Sequence, residues 1–240
     1  MPYRRLPNTD LARIRAMKAA LKKGALLPPF KLAYSQPLYV KLKTFLPEFE
    51  KAVNEQKRAI DTQATKNREY LKAFKKAQMY VSHFIQVLNF AILRGELKEN
   101  ARKFYGLAVD DCKVPSLNTD NELLEIGKNI IKGEKERTIR GGSPILSPKI
   151  TLVNLHHDKF AEALEHQQKL KETSFKATSN VASLRKKADQ VILELWNEIE
   201  SYFDNRDANE KRKLASEYGV VYVFRKSEKE HIKRFMQMSA

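Results

Sequence analysis

The chain has 240 residues, and its 45 lysines and arginines outnumber its 29 aspartates and glutamates, which gives a formal net charge of +16. A hydrophobic fraction of 42% is enough to bury a core and excludes a disordered tail. Cys112 is the single cysteine, which excludes a disulfide-stabilised scaffold. The composition predicts a basic globular protein of one or two domains.

Similar residues recur along the chain at a nearly constant spacing of 110 to 113 positions. The matched pairs are Asn8-Thr9-Asp10 with Asn118-Thr119-Asp120, Lys75-Lys76-Ala77 with Lys186-Lys187-Ala188, and Tyr105-Gly106 with Tyr218-Gly219. Because the matches keep their order, they predict two tandem repeats, at 1–115 and 116–226, followed by a charged C-terminal tail at 227–240.

Each repeat begins with a short predicted helix. Thr9 and Thr119 are the expected N-caps, and the following Asp10 and Asp120 suit the positive end of a helix dipole. Thr119 with Glu122 also matches the capping-box pattern. A connection that contains proline follows in both repeats.

A seven-residue apolar period then extends over residues 38–94 and again over 150–203. Each stretch could form one helix of about 70–75 Å, at 1.5 Å per residue, or a hairpin that turns near 61–68 and 172–180. The absence of Gly and Pro at both turns favours continuous helices. The predicted fold is all-α: two tandem helical repeats with long antiparallel, coiled-coil-like helices and pseudo-two-fold symmetry. Short extended segments are expected after Tyr105-Gly106 and Tyr218-Gly219.

The layout also resembles a group of internally duplicated, all-helical bacterial proteins. The likeness rests on the segment from Val81 to Asn89, on Tyr105-Gly106, and on the segment from Tyr218 to Val223. This resemblance implies the helical fold, and it implies no activity.

Motifs that would indicate catalysis are missing from the sequence. It has no glycine-rich nucleotide loop, no nucleophile elbow, and only one of the two Glu-x-x-His motifs that a di-iron helical bundle needs. We therefore expect no catalytic residues, no cofactor, no metal and no small-molecule substrate, and we expect a protein that is not an enzyme.

The apolar segment from Val81 to Leu93 is interrupted by polar residues and is too short to span a membrane. We expect no membrane contact and a cytoplasmic location. Phe84, Ile85, Leu88 and the corresponding Trp196 either pack within the monomer or form an interface with a second copy or another protein.

Charge is distributed unevenly between the repeats. Residues 1–115 contain 23 basic and 10 acidic side chains, whereas residues 116–240 contain 22 and 19. This asymmetry indicates an anionic partner for the first repeat. The candidate nucleic-acid-binding residues are Arg4, Arg5, Arg13, Lys18, Lys22, Lys23, Lys51, Arg58, Arg68, Lys72 and Lys75. The alternative is a solvated lysine-rich face with no partner.

Two functions follow from these observations. The first is a non-enzymatic helical binding or scaffolding protein that engages nucleic acid without sequence preference, through its basic first repeat. The alternative is a purely structural or assembly protein that oligomerises through its long helices.

Overall fold

The structure, a computed structural model, describes residues 2–225. The expected tail at 227–240, together with residue 226, lies outside the described residues. The elements in chain order are β1 (Tyr3–Arg4), α1 (Asp10–Leu26), a 3-10 helix (Pro29–Lys31), α2 (Gln36–Leu93), a second 3-10 helix (Glu99–Tyr105), α3 (Asp120–Ile139), α4 (Ile150–Tyr202), α5 (Ala208–Glu217) and β2 (Tyr222–Val223).

The all-α fold is confirmed, and both long apolar stretches form single helices. Helix α2 has 58 residues and helix α4 has 53, so neither turns back as a hairpin. Pro47 lies inside α2 on its exposed side, where the backbone carbonyl that loses its helical partner can reach water.

Both short helices begin at the expected caps. The Thr9 hydroxyl accepts a hydrogen bond from the Ala12 amide at 3.2 Å, and the Thr119 hydroxyl accepts one from the Glu122 amide at 3.3 Å. The Glu122 carboxylate in turn accepts from the Thr119 amide, which completes a capping box at α3.

The two strands form one small antiparallel pair, with Tyr3 opposite Val223 and Arg4 opposite Tyr222. This pairing confirms the extended segment after Tyr218-Gly219. Directly after Tyr105-Gly106 the structure has no strand, because the next element in the described chain is α3. Gly106 and Gly219 both adopt positive φ angles, of 66° and 94°, and both close the helix before them.

The chain divides into two compact units: unit 1 contains residues 1–58 and 175–240, and unit 2 contains residues 59–174. Each unit therefore combines parts of both sequence repeats. Unit 1 holds α1, the first part of α2, the last part of α4 and α5; unit 2 holds the rest of α2, the second 3-10 helix, α3 and the first part of α4. The repeat boundary near residue 115 stays a prediction about the sequence.

In unit 1, α2 and α4 run antiparallel. Lys41 donates to Glu194 at 2.7 Å, and Gln56 donates to Thr178 at 3.2 Å. The core packs large side chains from both helices against α1 and the residues after α5; it includes Met17, Leu42, Phe49, Leu195, Trp196 and Tyr218.

In unit 2, the facing parts of α2 and α4 are also antiparallel. Gln63 accepts from the Ser174 hydroxyl at 2.5 Å, and Asn67 accepts from the Gln167 amide at 2.7 Å. These side-chain bonds satisfy polar residues that replace core residues there. The core of unit 2 includes Phe84, Ile85, Leu88, Leu123, Ile130 and Phe160.

Candidate functional surfaces

Arg13, a candidate anion-binding residue, is neutralised inside unit 1. Its guanidinium donates to both carboxylate oxygens of Asp189, at 2.7 and 3.0 Å, and the residue is only 8% exposed. Asp10 lies 3.5 Å from Arg13 and accepts two bonds from Arg185, at 2.8 and 2.7 Å. The hydrogen bond from Arg185 lowers the pKa of Asp10. Arg13 is therefore buried and ion-paired within unit 1, which makes it less accessible to an anion than the sequence indicates.

Three further N-terminal cations have acidic partners within unit 1. Arg4 donates to Glu200 at 2.8 Å, Lys18 lies 2.6 Å from Glu50, and Lys23 lies 2.5 Å from Glu217. In each of these pairs the carboxylate offsets the positive charge, so the local potential that would attract an anion is weaker than the sequence indicates.

A second group of cations in unit 1 is exposed. Arg5, Lys22 and Arg58 have no ion-pair partner among residues 2–225, and Lys51 lies 3.9 Å from Glu55, which is also exposed. The structure adds Arg15, Lys43 and Lys57, which are exposed and unpaired within the same described part of the chain. Sequence reasoning missed these three because a count of charges does not show which charges are already paired.

Arg68, Lys72 and Lys75 lie on α2 in unit 2. They are exposed, and their i, i+4, i+7 spacing places them on one side of the helix. They form no ion pair with any described residue, whereas the neighbouring Lys66 bonds to Glu69 at 2.9 Å. This group belongs to a different compact unit from Lys51 and Arg58, although the sequence places all five in one repeat.

The four candidate interface residues are not at the surface. Phe84, Ile85 and Leu88 are fully buried in unit 2, and Trp196 is fully buried in unit 1. Of the two alternatives, the burial of these side chains matches packing within the monomer. A different side of α2 carries exposed apolar side chains, namely Met79, Phe90 and Leu93.

Unit 2 contains a buried polar network that the sequence did not reveal. The Arg137 guanidinium donates to the Glu134 carboxylate at 2.9 Å and to the Tyr105 hydroxyl at 2.7 Å. The Glu134 carboxylate also accepts from the Ile145 amide at 2.7 Å and from the Tyr105 hydroxyl. Burial, reinforced by Glu134, raises the pKa of Tyr105. These bonds join α3 to the second 3-10 helix and to the chain that leads into α4.

Histidines near the start of α4 are engaged in packing. His156 stacks on Tyr80 with ring centroids 4.4 Å apart, and burial lowers its pKa. The ring of His157 lies 3.1 Å from the Leu124 carbonyl oxygen. Within residues 2–225, no group of three or more His, Cys, Asp or Glu side chains is placed to hold a metal ion.

A pocket of about 430 Å³ opens in unit 1 between α1 and the residues that follow α5. Its lining combines aliphatic side chains with two arginines, and comprises Arg5, Leu6, Pro7, Asn8, Ala12, Arg15, Ala16, Ala19, Trp196, Gly219, Val221 and Val223. Sequence analysis could not find it, because its walls come from three distant segments of the chain.

Comparison with protein-family models finds no match, and neither the curated proteins nor the solved structures provide a significant match. None of the three comparisons assigns a function. The helices of residues 2–225 include none with the length and apolarity that a membrane span requires.

Proposed function

We propose that the protein is a non-enzymatic helical binding protein that engages nucleic acid through exposed cations of unit 1. The proposal rests on a difference between two groups of cations in this unit: some have an acidic partner, and others have none. Arg4, Arg13, Lys18 and Lys23 have acidic partners, whereas Lys22, Lys43, Lys57 and Arg58 are exposed without one among the described residues.

The unpaired cations lie on two neighbouring helices. Lys22 is on α1, and the contact of Lys18 with Glu50 brings α1 beside α2. On α2, Lys43, Lys57 and Arg58 lie away from the buried positions Leu42 and Phe49. Unpaired lysines and arginines bind phosphate backbones by releasing condensed counterions, which favours a nucleic acid as the partner. Without a base-reading motif, we expect binding to be sequence-tolerant.

The test is binding of labelled, unrelated DNA duplexes measured against salt concentration. The variant K22Q/K43Q/K57Q/R58Q removes four unpaired charges from unit 1. Each lost phosphate contact reduces the slope of log K against log salt by about 0.9, so we expect weaker binding to every sequence and a flatter salt dependence.

The matched control removes four exposed, unpaired lysines from unit 2, in the variant K128Q/K135Q/K159Q/K171Q. Lys186 and Lys187 are unsuitable controls because they lie in unit 1, although they belong to the second sequence repeat. We expect a clearly smaller loss from the control variant. Equal losses from the two variants, or no binding by the unmodified protein near about 50 mM salt, would contradict the proposal.

The second candidate function is self-assembly through α2, and one observation favours it. Met79, Phe90 and Leu93 are 53%, 57% and 70% exposed, and their spacing of 11 and 3 residues places them on one side of the helix. A second copy would bury this stripe. Light scattering at increasing protein concentration tests this candidate: a rise in mass that M79S/F90S/L93S abolishes would support assembly, and a constant monomer mass would exclude it.

A further inference from the structure

The pocket of unit 1 has a closed apolar floor and a charged rim. Ala16 and Trp196 are almost completely buried and form the floor, whereas Arg5 and Arg15 are exposed. A volume of about 430 Å³ is within the range of small-molecule sites, which is about 300–1,000 Å³.

Small residues create the space. Ala12, Ala16 and Ala19 face the pocket from α1, where longer side chains would fill it. On the opposite side, Gly219 approaches α1 so closely that a Cβ atom on it would lie 2.9 Å from the Ala16 carbonyl oxygen. The φ angle of 94° at Gly219 also favours glycine there.

Backbone hydrogen bonds hold the outer wall in place. The Arg5 amide donates to the Val221 carbonyl at 2.9 Å, and Tyr3 pairs with Val223 across the two strands. Because the Arg5 backbone makes this bond, its side chain is not needed to maintain the wall. Val221 and Val223, which line the pocket, are fixed by the same pairing.

The residues that line the pocket favour an anionic ligand with an aliphatic chain. Arg5 and Arg15 are its charged residues, and neither has an ion-pair partner among residues 2–225. Within residues 2–225, no aspartate or glutamate lines the pocket to neutralise them. The remaining wall is mostly alanine, valine, leucine and proline, and the Trp196 ring is buried too deeply to stack on an aromatic ligand.

We propose that this pocket binds a small aliphatic carboxylate, with the carboxylate held by the guanidinium groups of Arg5 and Arg15 and the hydrocarbon chain packed on Ala12, Ala16 and Val221. Guanidinium groups form strong charge-assisted hydrogen bonds with carboxylates, and burial of the hydrocarbon chain removes apolar surface from water. This site does not include Lys22, Lys43, Lys57 or Arg58. The proposal of carboxylate binding therefore does not depend on the proposal of nucleic-acid binding.

Trp196 provides the measurement, because it is the only tryptophan of the chain and lies in the floor of the pocket. The ligand used in the titration is octanoate, and calorimetry provides a second, independent measurement of its binding. We expect a saturable change in tryptophan emission with octanoate. Octanol, which lacks the charge, and acetate, which lacks the chain, should each bind at least tenfold more weakly.

The variant R5Q/R15Q should lower the affinity for octanoate at least tenfold, and Ala12→Phe should abolish binding by filling the pocket. The control K22Q/K43Q removes the same charge outside the pocket and should bind octanoate normally. Thermal unfolding confirms that every variant is folded. A non-saturable emission change, equal affinity in R5Q/R15Q, or equal affinity for octanol would overturn the proposal.

Discussion

In unit 2, a buried ion pair within helix α3, Glu134 with Arg137, bonds to the hydroxyl of Tyr105 at the end of the 3-10 helix Glu99–Tyr105. In unit 1, α1 and α5 are linked by the partly exposed pair of Lys23 and Glu217, and aromatic rings pack beside them. Glu134 and Arg137 have side chains only 1% and 5% exposed. At the position of Glu134, 110 residues earlier, unit 1 has Gly24, which lies against the rings of Tyr34 and Tyr39.

The matched tyrosines show the same contrast. The hydroxyl of Tyr105 bonds to Glu134 and Arg137, whereas Tyr218 packs edge-on against Tyr34 with ring centroids 6.2 Å apart. Unit 1 places its main ion network, Asp10 with Arg13, Arg185 and Asp189, nearer to solvent, where the Asp189 side chain is 46% exposed. The comparison teaches that a helical unit can be closed either by a buried charge pair or by an aromatic cluster.

The largest loss of stability is expected from breaking the buried ion pair of unit 2, Glu134 with Arg137. Arg137→Met leaves the Glu134 carboxylate buried without its cation, which should lower the free energy of unfolding by about 3–5 kcal/mol in urea titrations. Replacing both partners, in E134L/R137M, removes the uncompensated charge and should recover part of the loss, because the Ile145 amide and the Tyr105 hydroxyl still lose their acceptor. A stability of R137M close to that of the unmodified protein would show that the pair is not isolated from water.

A smaller loss of stability, similar in size in the two units, is expected from substitutions in their cores. Phe84 in unit 2 and Leu195 in unit 1 are separated by 111 residues and are both fully buried. Phe84→Ala and Leu195→Ala should each cost about 2–5 kcal/mol, because both leave a cavity. Denaturant midpoints measure the cost, and Phe90→Ala, at an exposed position of α2, is the control with little expected change.

The smallest loss of stability is expected from a change in the half-exposed ion network around Asp10 in unit 1. Asp10→Asn removes the charge that bonds to Arg185 and should cost about 1 kcal/mol near neutral pH. The folded protein lowers the pKa of Asp10, so this stabilisation is complete above the ordinary value of 3.8 and is lost as pH falls through the lowered pKa. The stabilities of the two proteins should therefore converge in acid, and a difference that persists there would contradict an ionic origin.

Features with a local pattern could be predicted from the sequence. The period of the apolar residues predicts α2 and α4, and the residues around Thr9 and Thr119 predict the helix starts. The buried state of Arg13 could not be predicted, because its partner Asp189 is 176 positions away. Likewise, a list of basic residues does not distinguish Lys18, paired with Glu50, from the unpaired Lys22.

Unit 1 is built from two segments that are separated in the chain by unit 2, and this arrangement has a consequence for biosynthesis. Residues 59–174, which form unit 2, are contiguous and are synthesised before the second segment of unit 1. α1 is synthesised early, but its partners Asp189, Glu217 and Gly219 follow only after the whole of unit 2. The packing of α1 within unit 1 therefore cannot be completed until all of unit 2 has been synthesised.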